Sequence, residues 1–219
     1  MFAGDLISGS IPFLHLNDTV GKALQEMSDF HVAHLPVVEE DKYLGLISEE
    51  DLLDSNETSE LNTLKNLFIT PFVRQGDFFL LAVKTAKELQ LSVVPVITEQ
   101  LELLGVIGEE DLFRQLALFT GIEEGGALIV LEMQKSAYSA GELNRLIESN
   151  DAYITQLNSY FDSHSQLLII SIRINKTEVS DILATLQRHE YFVKYYYGEE
   201  LYQNELQSNY SHLMNYLNI

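Results

Sequence analysis

Two stretches of this sequence, HVAHLPVVEEDKYLGLISEEDLLD at residues 31–54 and LSVVPVITEQLELLGVIGEEDLFRQL at residues 91–116, follow the same plan. Each has a short apolar segment around a proline, a polar turn, a second apolar segment that includes a glycine, and then the string EEDL. The two prolines, Pro36 and Pro95, lie roughly sixty residues apart in the chain. The chain therefore contains one structural unit twice.

The pattern of each unit predicts the order strand–helix–strand–strand–helix. The helix before the first stretch should be capped by Asn17 or Asp18, and the helix before the second stretch by Asp77. Ser48, followed three residues later by an acid, predicts a further helix after the second strand. A proline inside a short strand predicts an edge strand or a bulge. The apolar face expected for the helix of the second unit consists of Phe78, Leu81, Ala82, Ala86 and Leu89.

These motifs resemble CBS domains. The family pattern is an apolar strand that ends in proline and two hydrophobic residues, then Gly, two hydrophobic residues, Ser or Thr, any two residues and Asp. LPVV…GLISEED matches it in full, and VPVI…GVIGEED departs only where Gly108 replaces the Ser or Thr. The resemblance places a first motif at residues 1–58 and a second at residues 59–120. It implies a pseudo-symmetric pair of motifs with a cleft between them, usually assembled as a homodimer.

The chain changes character after Gly125. Apolar and amphipathic segments follow in the order β-α-β-β-α-β, the ferredoxin-like unit, with Ser139 and Thr177 as the expected helix caps. Together with Gly-Glu-Leu at residues 141–143, this order resembles an ACT domain at residues 125–199. The predicted fold class is thus α/β (α+β): a CBS-domain pair followed by a ferredoxin-like, ACT-like domain. The order of these modules resembles the accessory CBS–ACT protein of bacterial acetoin utilisation.

Apolar residues in the last twenty residues, 200–219, also recur at helical spacing. They favour a helix that closes its own domain, and the alternative is a helix that docks on a partner. The residues concerned are Leu206, Tyr210, Leu213, Met214 and Leu217.

Charge and composition exclude several classes of partner. The formal net charge is −20, and no basic stripe exists to displace counterions from nucleic acid or to bind an anionic membrane. The 219 residues include no cysteine, which fits a reducing compartment, and no segment reads as a signal peptide or a membrane span. A cytoplasmic protein is expected.

The CBS resemblance implies an adenosine-type ligand, such as AMP, ADP, ATP or S-adenosylmethionine. In the first motif Asp51 would accept hydrogen bonds from the ribose hydroxyls and Ser48 would help to hold a phosphate. In the second motif Asp111 would act without that hydroxyl. The ligand-binding residues expected on this basis, including those that should line a slot for the base, are Phe13, Val32, Ala33, His34, Leu35, Ser48, Asp51 and Asp111.

Local charge limits which ligand would fit. Two glutamates precede each of these aspartates, at residues 49–50 and 109–110, and they disfavour a polyphosphate. A mono-anionic or neutral adenosine compound fits better. A structural interpretation stays open, because Ser48 can act as a helix N-cap and Asp51 is favourable in a first helical turn without any ligand.

Nothing in the sequence suggests catalysis. His31 and His34 lie three residues apart without a third metal ligand at a recognisable spacing. No nucleophile elbow, phosphate loop or dinucleotide fingerprint is present. We therefore expect no catalytic residues, no metal and no cofactor. The favoured hypothesis is a homodimeric regulatory protein that senses its ligand in the cleft and passes the signal to a partner, and the alternative is a ligand-independent dimeric scaffold.

Overall fold

The computed structural model describes residues 1–198, and the predicted C-terminal helix lies outside them. The chain divides into two compact units, the first comprising Met1–Leu116 and the second beginning at Ala117. Both units mix helices and strands, which confirms the predicted fold class.

Two three-stranded sheets, one for each motif, form the framework of the first unit. In each sheet the first strand pairs parallel with the second, and the second pairs antiparallel with the third. The strands are β1 (Leu14–His15), β2 (His34–Glu39), β3 (Lys42–Ser48), β4 (Val73–Arg74), β5 (Val93–Ile97) and β6 (Leu103–Gly108), and the helices are α1 (Val20–Phe30), α2 (Glu49–Leu53), α3 (Phe79–Leu89) and α4 (Glu109–Phe119).

Each motif packs its first segment on the other motif; the two segments are residues 1–12 and 61–72. The N-terminal segment, with the 3-10 helix Ala3–Leu6, packs on the second motif, where Ala3 is fully buried in the core and the Ser8 N–H donates to the Val106 carbonyl. The segment with the 3-10 helix Leu61–Leu67 packs on the first motif, and the Leu61 N–H donates to the Asp18 carbonyl. The pair is consequently interlocked, and the boundaries of the sequence repeat are not boundaries of separate compact bodies.

This exchange also explains how the first sheet accommodates Pro36. β2 is the central strand of its sheet, so the expectation of an edge strand for Pro36 is wrong. Pro36 faces Leu46, whose N–H and carbonyl are both bonded to Ile69 on the opposite side. A missing proline N–H therefore breaks no ladder bond at this point. The register shift between Val37 and Val38 agrees with the expected bulge.

Two predicted helix caps in the first unit are wrong for one shared reason. Thr19 is the N-cap of α1, and its hydroxyl accepts from the Lys22 N–H, while Phe78 occupies the N-cap position of α3. Asp18 and Asp77 instead accept from backbone N–H groups three residues before them, His15 in the first motif and Arg74 in the second. Each acid closes the turn between a strand and a helix.

The buried face of α3 also differs from the prediction. Phe79 and Ala82 are fully buried, whereas Leu81 and Leu89 are 43% and 51% exposed. The N-terminal segment fixes this orientation, because the Phe79 N–H donates to the Met1 carbonyl. A helical wheel of α3 by itself does not contain that contact.

The second unit has the ferredoxin-like order that the sequence predicts. The elements are β7 (Ala127–Met133), α5 (Ala140–Glu148), β8 (Ile154–Asp162), β9 (Leu167–Ile174), α6 (Ser180–Arg188) and β10 (Phe192–Tyr197). The four strands form one antiparallel sheet in the order β10-β7-β9-β8. Ser139 caps α5 as expected, but α6 begins at Ser180 with Val179 at its N-cap position, so Thr177 is not the cap.

Candidate functional site

The two motifs meet at an apolar seam in the first unit. Leu46 and Val93 are fully buried there, and Val106 and Leu91 are 1% and 4% exposed. Their side chains fill the centre of the expected cleft. Space for a ligand therefore lies beside the seam and not along its middle.

Hydrogen bonds at Ser92 join the first strands of the two motifs' hairpins. The Ala33 N–H donates to Ser92 Oγ at 3.0 Å, and the Ser92 N–H donates to His34 Nδ1 at 3.3 Å. Burial lowers the pKa of His34, and the opposing influence of Asp51 is smaller. The neutral imidazole is the form that this geometry requires, because Nδ1 can accept the Ser92 N–H only when it carries no proton.

A cavity of about 680 Å³ opens beside this seam, next to Asp111. It draws its walls from four parts of the chain: the N-terminal segment, the end of α1, Ser92 before β5 and the start of α4. Neutral hydroxyls, apolar side chains and carboxylates all contribute. The lining residues are Ser8, Ser10, Ile11, Phe30, His31, Val32, Ser92, Gly108, Glu109, Glu110, Asp111 and Phe113.

The carboxylate of Asp111 is only partly engaged. Its Oδ1 accepts from Arg114 Nη1 at 2.9 Å, and Arg114 Nη2 lies 3.0 Å from Glu110 Oε1. A Cβ placed on Gly108 would lie 3.7 Å from Asp111 Oδ2, so no hydroxyl occupies the position that Ser48 fills in the first motif. Asp111 lines the cavity, and its Oδ2 lies on the side where Gly108 supplies no hydroxyl.

In the first motif the equivalent aspartate, Asp51, is hydrogen-bonded to Ser48. Ser48 Oγ donates to Asp51 Oδ2 at 2.5 Å and accepts from the Asp51 N–H at 3.1 Å, which makes Ser48 the N-cap of α2. Ser48 is thus the helix cap that the structural interpretation expects, and the role of Ser48 and Asp51 in ligand binding stays a prediction. Asp54 stands at the repeat position that Arg114 occupies in the second motif, so the first motif has an acid where the second has a cation.

The structure distributes the predicted slot residues over different places. Val32 lines the cavity beside Asp111, and Ala33 lines a separate groove on the helical side. Leu35 is fully buried in the core of the first motif, and the exposed ring of Phe13 packs edge-on against His15 with centroids 5.4 Å apart. The pockets described for this structure do not bring these side chains together in one slot around Asp51.

The groove, of about 630 Å³, lies between α3 and α4. Ser92, Glu109 and Phe113 line both this groove and the cavity, so the two spaces share a wall. Phe113 is 65% exposed, and Leu53, at the same position of the first EEDL repeat, is 68% exposed. Paired apolar side chains of this kind are available for a contact with another molecule.

Sequence reasoning missed the contribution of the N-terminal segment to the cavity. Ser8, Ser10 and Ile11 belong to the first motif in sequence, yet they line the cavity of the second, and Ser8 pairs with Val106 there. The apolar residues Leu6 and Ile7 just before them were the available signal, since they indicate a segment that packs in a core.

Comparisons with known proteins agree with this architecture. Residues 3–57 match the family model described as CBS domain. The crystal structure of a CBS domain pair/ACT domain protein from Thermotoga maritima has 24% sequence identity and a TM-score of 0.50, and the match covers 54% of this chain and 98% of that chain. The CBS domains of a transcriptional regulator from Streptococcus pneumoniae match at 18% identity and a TM-score of 0.47, over 52% of this chain and 98% of that one. The first unit has the fold of a CBS-domain pair.

One curated relative is an enzyme. A homoserine O-acetyltransferase of Methanobrevibacter ruminantium is 29% identical over 111 residues, which is 49% of this chain and 22% of that protein. The chain thus matches about a fifth of the length of this relative. Within the described residues, no helix has the length and apolar character needed to cross a bilayer.

Proposed function

We propose that this protein is a non-catalytic regulator that binds an adenosine-type ligand in the cavity beside Asp111. The observation that carries the proposal is the make-up of this cavity, in which a carboxylate oxygen, serine hydroxyls and apolar side chains converge from both motifs. A ribose offers two neighbouring hydroxyls to the Asp111 oxygen, and a purine base fits an apolar wall such as Val32 and Phe113. This places the favoured site in the second motif, whereas the sequence favoured the first.

The cavity can sense its ligand because its walls belong to both motifs. A ligand that touches Val32 in the first motif and Ser8 and Asp111 on the second binds best at one relative placement of the two motifs. It would shift the population towards that placement by its differential affinity. The readout we propose is the way the protein pairs with a second copy of itself or with a protein partner.

A homodimer is part of this proposal. Leu53 and Phe113 occupy equivalent positions of the repeat, so they present two similar apolar contacts on the helical side of the pair. A twofold interface brings the same patch of two copies together, and a patch that is already pseudo-symmetric suits such a contact. The acidity of the chain works against association elsewhere on the surface.

Binding is tested most directly by calorimetry with adenosine, AMP, ATP and S-adenosylmethionine. Asp111→Asn should weaken binding of the best ligand about tenfold, because hydrogen bonds to a charged group contribute about 1.5–3 kcal/mol. Asp51→Asn, at the equivalent position of the first motif, is the matched control and should leave binding unchanged. No heat and no rise in melting temperature with any of these compounds at millimolar concentration would refute the proposal.

A ligand-independent scaffold is the second candidate. The observation in its favour is the packed seam, since Leu46 and Val93 are fully buried in one cluster that joins the two motifs. A partner captured equally well with and without adenosine compounds would support this candidate. The resemblance of the module order to an acetoin-utilisation accessory protein suggests enzymes of that pathway as candidates, and a cysteine-free chain suits the cytoplasm as the proposed location.

A further inference from the structure

We infer that the cavity beside Asp111 selects against phosphorylated ligands, and that Glu110 sets this selectivity by holding Arg114 away from the ligand. The inference rests on the proposed function and narrows its ligand class to uncharged or cationic adenosine compounds. It assigns to Glu110 a role in specificity that is separate from any contact with the adenosine part.

The charges around the cavity are mostly negative. Glu109, Glu110 and Asp111 all line it, and within the described part of the chain no lysine or arginine does. The remaining polar lining groups include the hydroxyls of Ser8 and Ser10, whose oxygens lie 3.0 Å apart. A phosphate monoester carries a charge of about −1.5 to −2 at neutral pH. It would therefore be repelled by three carboxylates, and the donors available to offset that repulsion are hydroxyls and the N–H groups at the start of α4.

Arg114 is the cation nearest to Asp111, and its guanidinium is already engaged on two sides. Nη1 lies 2.9 Å from Asp111 Oδ1, and Nη2 lies 3.0 Å from Glu110 Oε1. A phosphate that approached this guanidinium would compete for it with the carboxylates of Asp111 and Glu110, which lie closest to its Nη1 and Nη2 atoms. The arginine thus neutralises the rim of the cavity and does not serve as a phosphate site.

The repeat supplies an internal comparison. In the first motif the equivalent string is Glu49-Glu50-Asp51, and Asp54 replaces the arginine. Glu50 therefore lies in the same sequence context as Glu110 but has no guanidinium to hold. A change at Glu50 alters the net charge of the protein by the same amount and leaves the Arg114 pair intact.

The test compares adenosine, S-adenosylmethionine and AMP by calorimetry at low salt, for the intact chain, Glu110→Gln and Glu50→Gln. We expect the intact chain to bind adenosine and S-adenosylmethionine at least about tenfold more tightly than AMP. The discrimination should shrink in 1 M salt, where the Debye length falls to about 3 Å. Glu110→Gln should raise the affinity for AMP about fivefold or more and leave that for adenosine unchanged, because it removes one charge and frees one face of Arg114. Glu50→Gln should change neither.

Each result decides one point. If AMP binds the intact chain as tightly as adenosine, or if Glu110→Gln changes the affinity for both compounds equally, the selectivity proposal is wrong while the proposed function stands. If none of the three compounds binds, the proposed function fails and the selectivity proposal with it. A melting curve of each variant shows that the fold is retained, and exposed substitutions of this kind are expected to alter stability by about 0.5 kcal/mol or less.

Discussion

Replacing Gly108 by serine should stabilise the first unit, because it installs in the second motif the helix cap that Ser48 provides in the first. Gly108 does not occupy the left-handed region of the backbone, so a side chain is conformationally allowed there. A Cβ at this position would lie 3.3 Å from Ile11 Cδ1, the end of a flexible side chain that has to move by a few tenths of an ångström. The template is Ser48 Oγ, which accepts from the Asp51 N–H at 3.1 Å.

Two contributions set the size of the effect. Loss of glycine restricts the unfolded chain and stabilises the native state by about 0.4–1 kcal/mol. Serine at an N-cap is better than glycine by only a few tenths of a kcal/mol, but better than alanine by about 0.5–2 kcal/mol. The free energy of unfolding should therefore rise by roughly 0.5–1 kcal/mol in Gly108→Ser, and Gly108→Ala should be less stable than Gly108→Ser.

The assay is urea denaturation followed by circular dichroism, with the intact chain and both variants under identical conditions. The alanine variant is the matched control, since it adds the same Cβ without the hydroxyl. If the serine variant is no more stable than the alanine variant, the hydroxyl does not cap α4, and the equivalence of the two helix starts is disproved. If both variants are strongly destabilised, the Ile11 side chain does not move to accept a Cβ at position 108, and the expectation that it moves is incorrect.

Three further predictions concern the seam and the helical side. Leu46→Ala should cost about 2–5 kcal/mol of unfolding free energy because Leu46 is fully buried, whereas Leu89→Ala, at a 51% exposed position, should change it by about 0.5 kcal/mol or less in the same denaturation assay. The pKa of His34 is lower in the folded than in the unfolded protein, so the unfolded state gains its proton first and stability should fall as the pH drops below about 6.5. His34→Asn keeps an acceptor at the position of Nδ1 and should lose this component of the pH dependence; an unchanged profile from pH 7.5 to 5 would contradict the role of His34. Phe113→Glu should convert the expected dimer into a monomer in light scattering, while Phe13→Glu, at a similarly exposed phenylalanine outside the groove, should not.

The sequence alone predicts the repeated elements well because their signals are local. The apolar strands, their glycines and the acidic helix starts lie within each copy of the repeat, and Ser48 and Ser139 cap the helices that were expected of them. Asp18 and Asp77 show the limit of such reasoning. An acid just before a helix can cap it or can close the turn that precedes it, and both assignments use the same residue types at nearly the same spacing.

The cavity was less predictable because it depends on the exchange of segments between the motifs. Residues 1–12, at the start of the first motif, complete the site of the second motif. A site predicted from the residues of one motif alone therefore lacks part of its lining. The same exchange determines which side of α3 is buried, since the contact from Met1 to Phe79 is long-range. A comparison of the first segments of the two motifs, at residues 1–12 and 61–72, would have been the informative step.

Ser92 lies where the two proposed activities, ligand binding in the cavity and pairing through the groove, can affect each other. Its carbonyl accepts from the Glu109 N–H at the start of α4, its N–H donates to His34, and its side chain faces both the cavity and the groove. A ligand that contacts Ser92 and Phe113 in the cavity necessarily acts on residues that also line the groove. Because coupling between two binding events is reciprocal, pairing through the groove would alter ligand affinity by the same factor by which the ligand alters pairing. The packed seam makes this coupling sensitive to small displacements, since fully buried side chains such as Leu46 and Val93 resist gradual deformation and favour discrete arrangements of the two motifs.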